Sequence, residues 1–580
     1  MNRNSSSTPA SPRTAPRFPP TARWSGISAD RLSINSLKRF TTFVERSFSL
    51  DDERADWGKE WREILAANAA SQREREARWR SLSLSQSLSQ PGPWSPSQSE
   101  PWSLSQSQPQ RLDDKSEKQS PEDFVIDWES DEDPDNPTNW SWSKIWLHMG
   151  LVSGLLFIGS LATAIFSPGV PELLSEFHNT SKLLGVMAVS IYALGWGIAP
   201  LVLGPLSEVF GRLGVYHATN IVFTISTLAS ARSPNLTTLI ALRFVAGCAA
   251  SAPNAVGAGT MTDIVPLQFR GKVMSVAVVA PLLGLAVGPM IGGPLVEAYG
   301  WRSTVYFTAA AGGILTVASL LLLRETNAKV ILERIAHDMR KITKDKRYTS
   351  KLADANPVPL YKMVARALRR PVLLLFTNPV VSLLSVYLAM VSGYIFIFLT
   401  TLSTVFKEKY AFSTSTVGLV YIGLMAGFAA GVALSATVMD RIATRQSERQ
   451  AAGGGRAHKP ESRLVPIVYA SPLTPAGLLL YGWSLQAGLH FVVPIFGSAL
   501  VGAGMVLTLL PLNTYLVDAF TAVASSAIAA STLLRYVLGA FLPLVGTSLN
   551  DSLGLGLANT LLASISCVLI PAPLLFIREI

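Results

Sequence analysis

The order of apolar and polar positions divides the chain at about residue 130. Beyond that point, long apolar runs alternate with short polar breaks, and most runs exceed the roughly 18 residues that mark a bilayer-spanning helix. Twelve such runs are present, which predicts twelve transmembrane helices. The predicted spans cover about residues 145–166, 184–203, 213–231, 236–257, 273–293, 303–323, 380–402, 417–438, 465–485, 490–511, 524–547 and 554–577.

The longest polar break, residues 324–379, separates the spans into two sets of six. We therefore predict an all-α membrane protein with one six-helix bundle at 131–323 and a second at 380–580. The break between them mixes apolar with basic residues from about 358 to 370, a pattern typical of an interfacial helix. Because Lys and Arg accumulate on the cytoplasmic side of a membrane, this central loop and both chain ends are predicted to be cytoplasmic.

The first 130 residues have the composition of a disordered segment. They are rich in Ser, Pro, Gln and Arg and include near-repeats such as SLSLSQSLSQ at 81–90. Such a sequence buries too little apolar surface to offset the entropy of ordering the chain. We expect a disordered cytoplasmic tail without a cleaved signal peptide, so that the first span acts as the targeting signal.

Composition narrows the class of protein further. The 580 residues carry a net charge of +10, and in a membrane protein basic loops, rather than nucleic-acid binding, explain such a charge. The two cysteines, Cys248 and Cys567, lie far apart within apolar runs and give neither a disulfide framework nor a metal pattern. No nucleophile–base set, phosphate-binding loop or metal-ligand cluster is recognisable. We therefore expect no enzyme activity, no cofactor, no metal and no nucleic-acid partner.

The polar break between the second and third spans, GPLSEVFGRLGV at 204–215, predicts a tight turn between membrane helices. Glycine gives such a corner backbone freedom, and an acid and a base four residues apart on a helix can pair. The break resembles the loop signature of the major facilitator superfamily, whose positions are filled here by Gly204, Glu208, Gly211 and Arg212. Leu213 stands where the family usually has a second basic residue. An ordinary cytoplasmic turn is the alternative interpretation.

The fifth span contains APLLGLAVGPMIGG at 280–293. Small residues four apart let helices approach closely, and a proline removes a backbone donor and bends the helix. Together with the entry segment DPDNPTNW at 133–140, this pattern resembles the fungal twelve-span drug:proton antiporters of the superfamily. The resemblance implies export of a substrate in exchange for protons. The residues of the antiporter motif are Gly284, Gly288, Pro289, Gly292 and Gly293.

Two arginines lie deep in apolar runs, Arg243 in the fourth span and Arg535 in the eleventh. A guanidinium at that depth needs a wet cavity or a partner. Both arginines are candidates for proton coupling or gating, and the resemblance links the fourth-span arginine to that role. Snorkelling toward the membrane surface is the alternative for Arg243.

An acid, Asp263, ends the fourth span. The resemblance groups it with Glu208 and Arg212 in a cytoplasmic charge cluster that stabilises the outward-facing state. A helix followed by an ordinary charged turn fits the same sequence equally well.

No Asp or Glu lies deep in any predicted span, which disfavours a polycationic substrate. The spans carry aromatic residues at helical spacing instead, which suit a flat amphipathic molecule. Packing between helices is the alternative explanation for that spacing. The candidate substrate-binding residues are Tyr192, Trp196, Tyr387, Tyr394, Phe398 and Tyr421.

These patterns together predict a monomeric, proton-coupled efflux transporter of the plasma membrane. It is expected to export small amphipathic drugs, toxins or secondary metabolites by alternating access. Its partners would be the lipid bilayer, a small-molecule substrate and protons driven by the proton gradient. Two alternatives stay open: a dedicated exporter of one endogenous metabolite or polyamine, and a transporter-like sensor that does not transport.

Overall fold

The computed structural model describes residues 124–130, 132–266, 269–353, 358–451, 460–520 and 523–573. Within these ranges the chain is almost entirely helical. The predicted disorder of the tail concerns residues that, up to position 123, lie outside the described part of the chain.

A short strand and nine α-helices are present in the described part of the first half. They are β1 Phe124–Ile126, α1 Trp142–Ala164, α2 Val170–Glu176, α3 Lys182–Ile198, α4 Pro200–Phe210, α5 Arg212–Ala231, α6 Leu236–Ala250, α7 Ala252–Ile264, α8 Arg270–Tyr299 and α9 Arg302–Leu322. The central loop follows, with α10 Ala328–Thr343, β2 Tyr348–Ser350 and α11 Leu360–Thr377.

Seven α-helices are present in the described part of the second half. They are α12 Pro379–Tyr410, α13 Thr414–Val420, α14 Ile422–Ala451, α15 Val465–Ala470, α16 Leu473–Gln486, α17 Val492–Ala519 and α18 Ala524–Leu569. The interfacial helix expected at 358–370 corresponds to α11, which has exposed basic and apolar side chains and extends further, to Thr377.

Twelve membrane crossings account for these helices. Among the described residues, nine helical stretches are long and apolar enough to cross a membrane, and the pair α3 and α4, bent by 42° at Pro200, makes a tenth. The eleventh is α5, which is less apolar because it buries polar side chains such as Thr219 and Asn220. The twelfth arises because α18 contains two crossings that meet at Gly554, whose φ is +77°. The predicted twelve spans are therefore confirmed.

Successive crossings run in opposite directions, which defines two faces of the molecule. The central loop, the α4–α5 turn and both ends of the described chain lie on one face, called here the loop face. The connections between α1 and α3, α8 and α9, and α12 and α13 lie on the opposite face, called here the far face.

The two halves repeat one packing pattern. In the first half, α1 packs on α8, α3 on α6, and α5 on α9. In the second half, the equivalent crossings pack in the same way: α12 on the first part of α18, α14 on α17, and α16 on α18. The halves meet where α3 contacts α18 and where α8 contacts α13 and α14. Such a repeat is typical of transporters that move two bundles around a central site.

The acids and asparagines before the first span form a compact turn. The Asp133 carboxylate accepts hydrogen bonds from the backbone N–H groups of Glu129, at 3.2 Å, and Asp135, at 2.9 Å. The Asn139 side chain donates to the Asp133 carbonyl at 2.9 Å, and the Asn136 side chain caps the short helical turn after it. Asx turns of this kind explain why this entry segment needs Asp and Asn.

The chain before this turn is attached to the central loop. β1 pairs in parallel with β2, so that Phe124 lies opposite Tyr348 and their rings stack at 5.1 Å. Asp127 forms an ion pair with Lys351 directly after the two strands. Residues 124–126, at the end of the segment predicted to be disordered, are therefore ordered by a partner more than 200 positions away.

Candidate functional site

Arg243 of α6 lies inside the first bundle. Its side chain is only 7% exposed, and its Nη2 donates to the carbonyl oxygens of Ala162, at 3.1 Å, and Thr163, at 3.5 Å, in α1. The guanidinium also lies over the rings of Phe166, at 4.7 Å, and Tyr192, at 5.3 Å. Snorkelling toward the membrane surface is excluded for this conformation, because the side chain is held between α1 and α3.

A small cavity adjoins this guanidinium. It is bounded by residues of α1, α3, α5, α6 and α9, and it leaves room for about one water molecule. Two buried polar atoms at this cavity, Arg243 Nε and Thr227 Oγ1, have no hydrogen-bond partner among the described residues. The cavity is therefore lined by polar atoms whose hydrogen-bonding capacity is unused among the described residues.

The α4–α5 turn carries a charge cluster on the loop face. Arg212 Nε donates to Asp263 at 3.3 Å, and Arg212 Nη1 donates to Ser207 Oγ at 2.6 Å. The Glu325 carboxylate, only 2% exposed, accepts from the backbone N–H groups of Arg212, at 2.9 Å, and Leu213, at 3.1 Å. It thereby caps the amino terminus of α5, where a negative charge is favoured by the helix dipole.

Two expectations for this turn were wrong. Glu208 and Arg212 do not pair, because the helix ends between them at Gly211, whose φ is +88°, and Glu208 is exposed. Gly204 does not form the corner either. It lies within α4, where an added Cβ would contact no neighbouring atom, so Gly211 alone supplies the backbone freedom.

Glu325 is the member of this cluster that the sequence reading missed. It also accepts from the backbone N–H groups of Thr326 and Asn327, both at 3.0 Å. The sequence contains one local indication of a capping role, which is that this acid lies between the last apolar residues of the sixth span and a Thr-Asn pair. Nothing in the sequence shows that its main partner lies 113 positions earlier.

The glycines of the fifth span form a packing face on α8. A Cβ on Gly288 would lie 2.9 Å from backbone atoms of α1, and Cβ atoms on Gly284 and Gly292 would also meet the α1 backbone. A Cβ on Gly293 would instead lie 2.6 Å from the Thr414 carbonyl oxygen in the second half. The motif thus brings α8 against α1 on one side and against α13 on the other, with Pro289 between the two contacts.

The two halves are also linked at the far face. Ser167 Oγ contacts the Leu399 carbonyl and lies 3.1 Å from the Tyr421 hydroxyl, which in turn lies 3.0 Å from Ser403 Oγ. The Glu297 carboxylate accepts from the Ser415 backbone N–H at 2.6 Å.

A third link at this face is the ion pair of Lys182 with Asp551 at 3.0 Å. The structure is therefore closed at the far face.

Arg535 of α18 has fewer contacts than Arg243. Its guanidinium lies 4.7 Å from the Tyr536 ring, and its buried Nε has no hydrogen-bond partner among the described residues. The structure does not bring it near the loop-face cluster, which belongs to the first half.

The candidate aromatic residues are separated by the structure into two groups. Tyr192 and Trp196 pack in the core of the first half, and the Tyr192 hydroxyl donates to the Gly159 carbonyl at 2.9 Å. The other four lie in the core of the second half: Tyr387, Tyr394, Phe398 and Tyr421. All six are buried in this far-face-closed conformation. Their role in substrate binding stays a prediction.

Proteins similar to this chain include fungal transporters. It is 42% identical over 457 residues to the MFS-type transporter tndD of Aspergillus flavipes, covering 79% of this chain and 85% of that one. It is 41% identical over 462 residues to the efflux pump radE of Floropilus chiversii, covering 80% of this chain and 85% of that one.

Solved structures share the fold. The xylose transporter XylE from E. coli, in a partially occluded inward open conformation, matches 74% of this chain and 96% of its own with a TM-score of 0.52 at 14% identity. A D-xylose-proton symporter matches 74% of this chain and 97% of its own, with a TM-score of 0.53 at 16% identity. The sequence model of the Major Facilitator Superfamily matches residues 152–576. The chain therefore belongs to the Major Facilitator Superfamily of membrane transporters.

Proposed function

We propose that this transporter exports small amphipathic molecules from the cytoplasm across the plasma membrane in exchange for protons. The observation that carries the proposal is the glycine face of α8. Gly293 contacts α13 of the other half, so the antiporter motif reaches an interface that alternating access must rearrange. The other glycines of this face pack α8 on α1 within the same half. Similarity to a protein named an efflux pump supports the same direction of transport.

Charge supports the orientation. The loop face carries the basic residues of α10, α11 and the segment between them, including Arg340, Lys341, Lys344 and Arg366. The positive-inside rule assigns this face, and with it both ends of the described chain, to the cytoplasm. The far-face closure then shuts the route between the halves and the exterior in this conformation.

Arg243 is assigned a role in the exchange through its contacts. A guanidinium keeps its proton under physiological conditions, so Arg243 acts by its charge and its hydrogen bonds rather than as the proton carrier. Its bonds to Ala162 and Thr163 join α6 to α1 in this conformation. Proton binding couples to export only when it favours one of the two facing states over the other.

Efflux from cells expressing the chain tests this proposal. A panel of fluorescent amphipathic compounds that includes anions, cations and neutral molecules is loaded, and efflux is followed with and without an uncoupler. We expect uncoupler-sensitive efflux that is lost in Arg243→Ala. Arg302→Ala, at an exposed ion pair with Glu176 on the far face, is the control and should retain efflux.

Each outcome has a separate meaning. Equal efflux with and without the uncoupler would contradict proton exchange while leaving export intact. Absence of efflux for the whole panel would contradict export of small amphipathic molecules and favour a sensor that does not transport.

A further inference from the structure

The membrane interior of this chain has an unbalanced charge. Among the described residues, Arg243 and Arg535 are the two permanently charged side chains deep in the crossings, and the sequence supplies no Asp or Glu at that depth. Arg243 is stabilised by two backbone carbonyls and two aromatic rings. Arg535 has the Tyr536 ring but no hydrogen bond or ion pair among the described residues.

Arg535 lies at membrane depth. It follows the first residue of α18, Ala524, by 11 positions (535 − 524), which places it about 16 Å along the helix. The first crossing of α18 ends at Gly554, about 45 Å from Ala524, so Arg535 lies within the roughly 30 Å hydrocarbon region, nearer its loop-face side.

Its neighbour Tyr536 marks the boundary between the two halves. Tyr536 packs against the first-half cluster that contains Tyr192 and Trp196, and a Cβ on Gly197 of α3 would clash with it. The uncompensated cation is thus next to the interface around which the halves move.

We infer that the transported molecule is an amphipathic organic acid that crosses as an anion, with its charge paired to Arg535. The inference rests on the proposed export function and names the substrate class. Arg535 is partly buried and has no counter-ion among the described residues, and a carboxylate or a similar anion is the geometric match for its fork of N–H donors. The neighbouring aromatic side chains suit the apolar body of such a molecule.

Electrostatics also relates this substrate to a driving force. When the cytoplasm is negative, an exported anion moves toward the positive side. A potential of about 100 mV favours a monoanion there by about 50-fold, which corresponds to ~2.3 kcal/mol per charge. Outward transport of an anion therefore gains energy from the potential without any acidic residue in the membrane interior. A polyamine would meet the opposite field and two fixed cations.

The test uses the purified full chain in proteoliposomes with equal pH on both sides. A potassium gradient with valinomycin sets the membrane potential. Three probes share the dansyl group and differ in charge: dansylglycine, an anion; its neutral amide; and dansylcadaverine, a cation. We expect dansylglycine to move toward the positive side and to be preferred at least tenfold over the other two.

Variants of Arg535 test the pairing. Arg535→Met should reduce dansylglycine transport at least tenfold, and Arg535→Lys, which keeps the charge, should lose less than about threefold. Arg366→Met removes one exposed arginine from α11 and should change transport little, which controls for net charge. Thermal unfolding of each variant checks that it folds. If Arg535→Met does not fold, Arg535→Lys is compared with the unmodified protein on the three probes. Retained preference of Arg535→Lys for dansylglycine supports the pairing of the anion with the positive charge, and loss of that preference contradicts it.

The results separate this inference from the proposed function. Transport of the amide or the cation as fast as the anion, or an anion flux unaffected by Arg535→Met, would overturn the inference and leave export standing. Transport of none of the three probes would overturn both.

Discussion

Replacing Glu325 should destabilise the first half of the protein far more than replacing Glu208, although only Glu208 belongs to the motif in the sequence. Glu325 Oε1 accepts from the backbone N–H groups of Arg212, Thr326 and Asn327, and Oε2 accepts from that of Leu213. Each hydrogen bond to a charged group contributes ~1.5–3 kcal/mol. Glu325 is buried, so water replaces these bonds poorly.

The magnitudes follow from this bond count. Glu325→Ala loses all four bonds, and because the turn can partly rehydrate we expect a cost of ~3–5 kcal/mol. Glu325→Gln can keep the three hydrogen bonds that Oε1 accepts. It loses only the bond from the Leu213 N–H, because the amide N–H that replaces Oε2 cannot accept it, and we expect a cost of ~1–2 kcal/mol. Glu208→Gln changes an exposed side chain and should stay within ~0.5 kcal/mol.

The measurement is the apparent unfolding temperature of the purified variants in detergent. For a unit of the size of the first half, 1 kcal/mol shifts this temperature by about 2–4 °C. We expect a decrease of roughly 10 °C for Glu325→Ala, a smaller decrease for Glu325→Gln, and no measurable change for Glu208→Gln. The reasoning is refuted if Glu208→Gln lowers the temperature as much as Glu325→Gln does.

Two further predictions concern packing and closure. Gly288→Leu should abolish transport, because its side chain would overlap the α1 backbone, whereas Gly150→Leu, with open space at its Cβ, should retain transport in the same efflux assay. Normal transport by Gly288→Leu would show that α8 and α1 tolerate separation. Tyr421→Phe removes the hydroxyl that joins Ser167 to Ser403 and should increase labelling of a cysteine introduced at the far face by a membrane-impermeant thiol reagent several-fold. Unchanged labelling would mean that this hydroxyl does not stabilise the closed far face.

The crossings were predictable because their signal is local. The lengths of the apolar runs located the twelve spans. Pro200 and Gly554 determine only where one crossing bends and where the chain turns back between two crossings. The glycine face of α8 was predictable for the same reason, since small residues four apart define a packing surface whatever the partner is.

Contacts between distant positions were not predictable. Residue spacing suggested a pair between Glu208 and Arg212, but a single residue at positive φ, Gly211, places them on different helices. The acid that caps α5, Glu325, is far away in sequence, and only the packing of α5 on α9 brings it there. Depth in the membrane likewise did not show whether Arg243 points inward or outward.

The pairing of β1 with β2 gives the amino-terminal segment a fixed point of attachment. Because Phe124 is held beside Tyr348, any domain or label fused ahead of residue 124 starts from the connection between the two halves rather than from the edge of the molecule. A fluorophore at the amino-terminal side of β1 and another in the second half would therefore report relative movement of the halves.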